Sequence, residues 1–325
     1  MSRPEAFVPV ALTSRSQFPE SVHFGAVVGL SRDGSIAFAV GDPTVAIYPR
    51  SANKPLQAVA MVHAGLDLPA ELLALVCASH DGAPMHLAAA RRILASVGLD
   101  PSALLNTADL PLDMAAAEVV LRAGGAPSAL QMNCSGQHSG MLATCVVNGW
   151  ATKSYLEPSH PLQQVISDEL PGLTGERVGH IGVDGCGAPA HVISLLGLAR
   201  GFRHIAVGSS ANAVSQVYQA MTEHPEMVGG TRRDVTQWMQ HVPGLLAKDG
   251  AEGVFAAALP DGRAVALKIA DGANRARPAV MVAALRALGV DVSIVAPLVN
   301  QLVFGHGHSV GEVSCIAEFK GAFGD

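Results

Sequence analysis

Charge is what this sequence has least of. Asp, Glu, Lys and Arg make up 15% of its 325 residues, against the usual quarter, while 49% are hydrophobic. That balance excludes a disordered chain and implies extensive buried or intersubunit surface, so oligomerisation is expected. Runs of basic residues are also missing. With a net charge of -6 and a pI near 6.1, the chain has nothing to attract nucleic acid or an anionic membrane, and a small-molecule partner fits better. No segment approaches the ~20 apolar residues of a membrane span. The stretch Ala6 to Leu12 is too short, and is broken by Pro9, so it does not read as a signal peptide. The five cysteines are odd in number and sparse, unlike a disulfide framework; they read as free thiols in a reducing cytoplasm.

Two hairpins are marked by Asp-Gly turns: Gly25 to Leu30 with Ser35 to Val40, and Val254 to Leu259 with Ala264 to Ile269. Between them the apolar spacing becomes helical. Helices are expected at 56–64, 70–77, 84–97, 113–121, 140–148, 162–170, 189–198, 213–221 and 278–288, with a closing strand at 312–319. Strands near both chain ends and helices in the middle predict an α+β fold, a mostly antiparallel sheet flanked by helices with a helical lobe inserted. The expected lobes are residues 1–60 plus 196–325 for the sheet and 61–195 for the helices. They form a single unit, because no repeat or linker divides them, and a site is expected in the cleft between them.

The chemistry-bearing stretch is Arg50-Ser51-Ala52-Asn53-Lys54-Pro55. Ser-x-x-Lys sets a nucleophile beside a base, since a serine hydroxyl needs a neighbour to take its proton. The same residues also fit a helix start, with Ser51 or Asn53 as cap, Pro55 at the first helical position and Lys54 a solvated charge. Pro55 disfavours helical geometry at Lys54, so the pair is expected to meet across a turn. Ser79-His80-Asp81-Gly82 offers either a second catalytic serine or an ordinary helix C-terminus. Asn133 to Gly140 and Gly182 to Pro189 each carry a cysteine in a glycine-bearing loop. Cys134 and Cys186 could converge on zinc with His138 or water, or remain two buried thiols. The His306-Gly307-His308 stretch has the same two readings, metal or loop. Lys268 lies on the strand 265–270, facing either water or the cleft; on the cleft side it is a candidate base.

Taken together, these ordered motifs resemble the rhizobial-type L-asparaginases. The likeness runs from Glu20-Ser21-Val22-His23 through Gly41-Asp42-Pro43, Arg50 to Gln57, Ser79-His80, Asn133 to Gly140, Val183 to Pro189, Gly230-Thr231 with Asp234, and Lys268 to Gly272. The resemblance implies a serine β-lactamase/glutaminase-like fold, usually a homodimer, hydrolysing L-asparagine to L-aspartate and ammonia. It also implies two Ser-Lys pairs, Ser51 with Lys54 and Ser79 with Lys268, and a zinc site at Cys134 and Cys186. The third position of that site is usually lysine and here is Gln137, a weak zinc ligand. Ser51 is then the expected nucleophile of an acyl-enzyme mechanism and Lys54 its proton acceptor, with Ser79 and Lys268 relaying protons. Arg50 is expected to bind the substrate α-carboxylate and Asp184 its α-ammonium, with His138 among the substrate-binding residues. The alternatives are a glutaminase or other serine amidase of the same fold, or a non-catalytic asparagine-binding homologue.

Overall fold

The computed structural model describes residues 4–208 and 212–319. The chain opens with β1 (Val8–Arg15), β2 (Phe18–Leu30), β3 (Ile36–Val40) and a short β4 (Ala46–Ile47). A 3-10 turn (Arg50–Asn53) leads into α1 (Lys54–His63), α2 (Ala70–Val76), α3 (Pro84–Ser96), α4 (Met114–Arg122), α5 (Ser135–Val147) and α6 (Pro161–Thr174). Next come β5 (His180–Val183), β6 (Pro189–Ser194), α7 (Leu195–Val207), α8 (Ala213–Glu223), α9 (Pro225–Gly229) and α10 (Asp234–His241). The chain closes with β7 (Leu246–Gly250), β8 (Val254–Ala258), β9 (Ala264–Ile269), α11 (Arg277–Ala287), α12 (Val295–Val299), β10 (Leu302–Gly305) and β11 (His308–Cys315).

One antiparallel sheet runs β10-β11-β1-β2-β9-β8-β7, with β3 pairing the end of β2. The fold is therefore α+β, its main sheet built from residues near both chain ends and flanked by helices. The turns form where their chemistry dictates: Gly34 and Gly262 take positive φ in the two Asp-Gly hairpins, and His306 with Gly307 forms the tight turn between β10 and β11. Every residue of β8, and all of β9 but Lys268, is buried, because both faces of the sheet are covered and α7 and α11 each pack against it. Among the described residues no helix is long and apolar enough to cross a membrane.

Two departures from the sequence reading matter for the site. The segment expected as a helix at 189–198 is instead β6 followed by α7. Its β-branched residues Val192 and Ile193 pair in a small sheet of order β4-β6-β5, and Ser194 caps the helix that follows by accepting from Gly197 N–H. Helix α5 starts at Ser135, so the Asn133 to Gly140 motif is a helix start rather than a loop. Its small residues serve close packing: a Cβ at Gly136 would lie 2.4 Å from the Leu75 carbonyl oxygen of α2.

A comparable constraint fixes β7 against the 3-10 turn. A Cβ on Gly250 would stand 2.3 Å from the Pro49 carbonyl oxygen and 3.2 Å from the Ala52 amide nitrogen, distances that backbone cannot yield to without moving. Gly250→Ala is therefore expected to destabilise the protein by about 1–3 kcal/mol, measured by urea denaturation, and to lower activity by displacing Ser51.

Candidate active site

Lys54 is helical at the head of α1, φ -58° and ψ -39°, even though Pro55 follows it, and its backbone N–H donates to the Ser51 carbonyl. Tertiary contacts override the local bias here. The Lys54 side chain, 3% exposed, runs inward and donates from Nζ to the Ala78 carbonyl at 2.6 Å and to Cys134 Sγ at 3.0 Å, with Ser79 Oγ at 3.5 Å. Ser51 is half-buried and lines a cavity of about 210 Å³ together with Ser79, Cys134, Cys186 and Ala251. Just before it, Arg50 sits at φ +54°, a left-handed conformation that a non-glycine residue pays for and that recurs at functional turns.

Ser79 belongs to a buried loop between α2 and α3 that is pinned from three sides. Its N–H donates to Val228 O, His80 N–H donates to Asn133 O, and Arg233 donates to the Ser79 carbonyl at 2.6 Å. His80 shares a hydrogen bond with Ser135 Oγ at 2.9 Å, and Asp81 pairs with His86 at 2.9 Å.

The lysine that meets Ser79 is Lys248, not Lys268. Lys248 Nζ donates to Ser79 Oγ at 3.2 Å and to Asp249 Oδ1 at 2.6 Å, and the side chain is wholly buried. Register explains the exchange. Lys248 on β7 lies opposite Ala256 on β8, which lies opposite Ala266 on β9, so Lys268 shares the face of Lys248 but stands two strands away and two residues further along. That offset amounts to roughly 12 Å from strand spacing and rise. Lys268 Nζ instead donates to the carbonyls of Glu252 and Ile269, beside a separate cavity of about 670 Å³ that Tyr48 and His180 also line. The sequence signal for the right lysine was Lys248-Asp249-Gly250, a Lys-x-Gly following a Ser-x-x-Lys, the pairing used by serine β-lactamases.

Around Lys248 the charges are nearly all buried. Asp249 also pairs with Arg233, and Arg277 approaches it at 3.8 Å. Burial alone would raise the Asp249 pKa, but Arg233, Lys248 and Arg277 together hold its carboxyl well below the usual carboxylate range. Burial pulls the Lys248 ammonium down to about 8, with Arg233 and Lys54 adding to the effect and Asp249 opposing it.

Arg50 and Asp184 pair at the cavity wall, Nη2 to Oδ1 at 2.7 Å and Nε to Oδ1 at 3.1 Å. His138 does not line the cavity. It is fully buried and shares a 2.8 Å hydrogen bond with Tyr155, and burial lowers its pKa to about 3, so it is neutral. The neighbouring Cys186 thiol, together with the Lys54 ammonium, lowers the Cys134 pKa to about 6, while Cys134 and burial push the Cys186 thiol up; Cys134 Sγ donates to Asn133 Oδ1 at 3.0 Å. Gln137 is turned to Gln57, to which its amide donates. Two sulfurs and an already engaged amide make a poor donor set for tetrahedral zinc. Among the described residues no group of three or more His, Cys, Asp or Glu is placed to hold a metal, so no chemical step is derived through one.

The sequence model of the L-asparaginase II family matches residues 11–315. The chain belongs to that family. No curated protein matches it by sequence. Among solved structures, Mglu in its native form is 14% identical with a TM-score of 0.44 over 82% of this chain and 63% of that one, so this chain spans under two thirds of Mglu. A beta-lactamase from Mycobacterium bovis is 15% identical, TM-score 0.36, over 81% of this chain and 94% of that one. EstCE1, a hydrolase with promiscuous acyltransferase activity, is 12% identical, TM-score 0.39, over 85% and 92%. Likenesses this weak carry no argument about chemistry.

Two expectations separate the lysines. Lys248→Met should lower kcat about 100-fold or more, whereas Lys268→Met should leave turnover close to that of the unaltered protein, both read by ammonia release. Activity should rise with pH through the titration of Lys248 near 8. Because Asp249 favours the charged lysine, Asp249→Asn should move that limb to lower pH and cost about 3 kcal/mol of stability, checked by pH–rate profiles and urea denaturation.

Proposed function

We propose that this chain is an amidohydrolase, an L-asparaginase working through a Ser-Lys acyl-enzyme. The observation that carries the reading is that Ser51 and Ser79 line one cavity and that two buried lysines reach Ser79 Oγ behind its wall, Lys54 at 3.5 Å and Lys248 at 3.2 Å. Ser51 attacks the side-chain amide carbon and the C–N bond breaks. Its proton passes by way of Lys54 to the departing nitrogen, which leaves as ammonia; water then hydrolyses the aspartyl ester. Ser79 links the two lysines, so a proton on one can be exchanged for a proton on the other without crossing solvent. Lys248, not Lys268, completes the second pair in this reading.

Backbone amides at the head of the 3-10 turn and at Ala251, which lines the same cavity, supply the oxyanion site, worth roughly 3 kcal/mol per donor. The Arg50–Asp184 pair suits the zwitterionic end of an amino acid. The guanidinium takes the α-carboxylate and the carboxylate takes the α-ammonium, so each ion exchanges one charged partner for another. Family membership and this ready-made pair support asparagine over an acyclic ester or a β-lactam. Glutamine, one methylene longer, remains the rival substrate. A homodimer and a cytoplasmic location stay as proposals drawn from the sequence.

Ser51→Ala should abolish ammonia release while leaving the folded spectrum and melting unchanged, and normal turnover would move the nucleophile elsewhere. A panel of asparagine, glutamine and a chromogenic β-lactam should show kcat/KM highest for asparagine. Calorimetric binding of asparagine with no ammonia formed would instead support a non-catalytic binding protein.

A further inference from the structure

Ser51, with Arg50 and Asp184, also borders a second, much smaller cavity. Its volume is about 20 Å³, enough for one water molecule and too little for an amino acid. The wall is polar: Ser51, Lys54, Asn53, Gln57, Gln137 and His191 all contribute. Three buried atoms on it stand without a partner, both Nδ2 and Oδ1 of Asn53, which is 3% exposed, and Nδ1 of His191. Burying an unpartnered amide costs on the order of 1–3 kcal/mol per group, and a residue seldom carries that cost at both ends of one side chain. A donor and an acceptor from a single amide, with one more ring nitrogen nearby, are the partners a water molecule takes.

We propose that this cavity holds the water that hydrolyses the acyl-enzyme, with Asn53 as the residue that positions it against the ester at Ser51. The inference rests on Ser51 being the acylated residue. Burial pulls the His191 pKa to about 4, so its ring is neutral and presents one further hydrogen-bonding atom without adding charge. In the step assigned to this water, its oxygen bonds to the aspartyl carbonyl carbon, the Ser51 Oγ–carbon bond breaks, and one water proton ends on Oγ. The amide substrate occupies the 210 Å³ cavity, which shares Arg50, Ser51 and Asp184 with the small one, so the water waits beside the acylated residue in a space too small for the substrate itself. Ala190 of β6 also lines the small cavity, with a side chain that leaves room for the guest.

The test is a competition between water and hydroxylamine, a nucleophile too large for the small cavity alongside its present walls, which reaches the ester from the substrate side. Its nitrogen bonds to the acyl carbon, the Oγ–carbon bond breaks, and aspartyl hydroxamate forms instead of aspartate. With the full-length enzyme, asparagine and a fixed hydroxylamine concentration, the hydroxamate-to-aspartate ratio should rise roughly tenfold in Asn53→Leu, which fills the cavity and removes both amide atoms. Ala190→Val, which fills it from another lining residue, should raise the ratio too and covers the case in which Asn53→Leu does not fold. An unchanged ratio in the folded filling variants, even with lower total turnover, overturns the water site while leaving the acyl-enzyme intact. Absence of hydroxamate from the unaltered enzyme overturns the acyl-enzyme reading, and the water site with it.

Discussion

The burial of Lys248 is the constraint on which the site depends. An ammonium removed from water costs several kcal/mol unless it is paired and hydrogen-bonded. Here the pairing is supplied by the next residue, Asp249, which also serves Arg233, while Arg277 stands 3.8 Å from it. One carboxylate thus anchors three cations from β7, α11 and the segment before α10. Arg233 uses its other arm to hold the Ser79 carbonyl, and Arg277 donates to the carbonyls of Gly250 and Val254. The charge cluster is therefore also the framework that fixes Ser79, the end of β7 and the turn carrying Ser51.

That arrangement explains why a chain so poor in charge places so much of it in one interior spot. Lys54, Lys248, Asp249 and Arg277 are all buried, and Arg233 nearly so. Opposite charges confined together in low dielectric lower one another's cost, and the residual imbalance shows in a lysine held near 8. A lysine with that affinity for protons gives and takes them near neutral pH, which a surface lysine does not. The price in stability is spread over the close backbone approaches at Gly136 and Gly250 and the left-handed Arg50.

Much of this was legible in the residues. Asp-Gly turns and apolar alternation marked both central hairpins, and Ser-x-x-Lys marked the turn at 50–54. What stayed hidden was β7. Its Lys248-Asp249 pair interrupts the apolar pattern that strands show, because the charges are satisfied by each other and by Arg233 rather than by solvent. Lys268, on a more obviously apolar strand, drew the expected pairing with Ser79, which is made by a lysine two strands away. The helix expected at 189–198 failed for a similar reason, since pairing with β4 and β5 decides the state of β6 and is invisible locally. Asn53 carried no sequence signal beyond helix capping, and its amide in fact caps nothing.

The central claim is that Ser51, supported by the Ser79–Lys248 pair, forms the covalent intermediate. The most direct measurement is labelling with a diazoketone analogue of asparagine, followed by proteolysis and mass spectrometric mapping of the modified residue. The account predicts the label on Ser51, with asparagine protecting and with labelling slowed in Lys248→Met. A label on Ser79 or Cys134, or labelling of Ser51 that asparagine does not prevent, would contradict it.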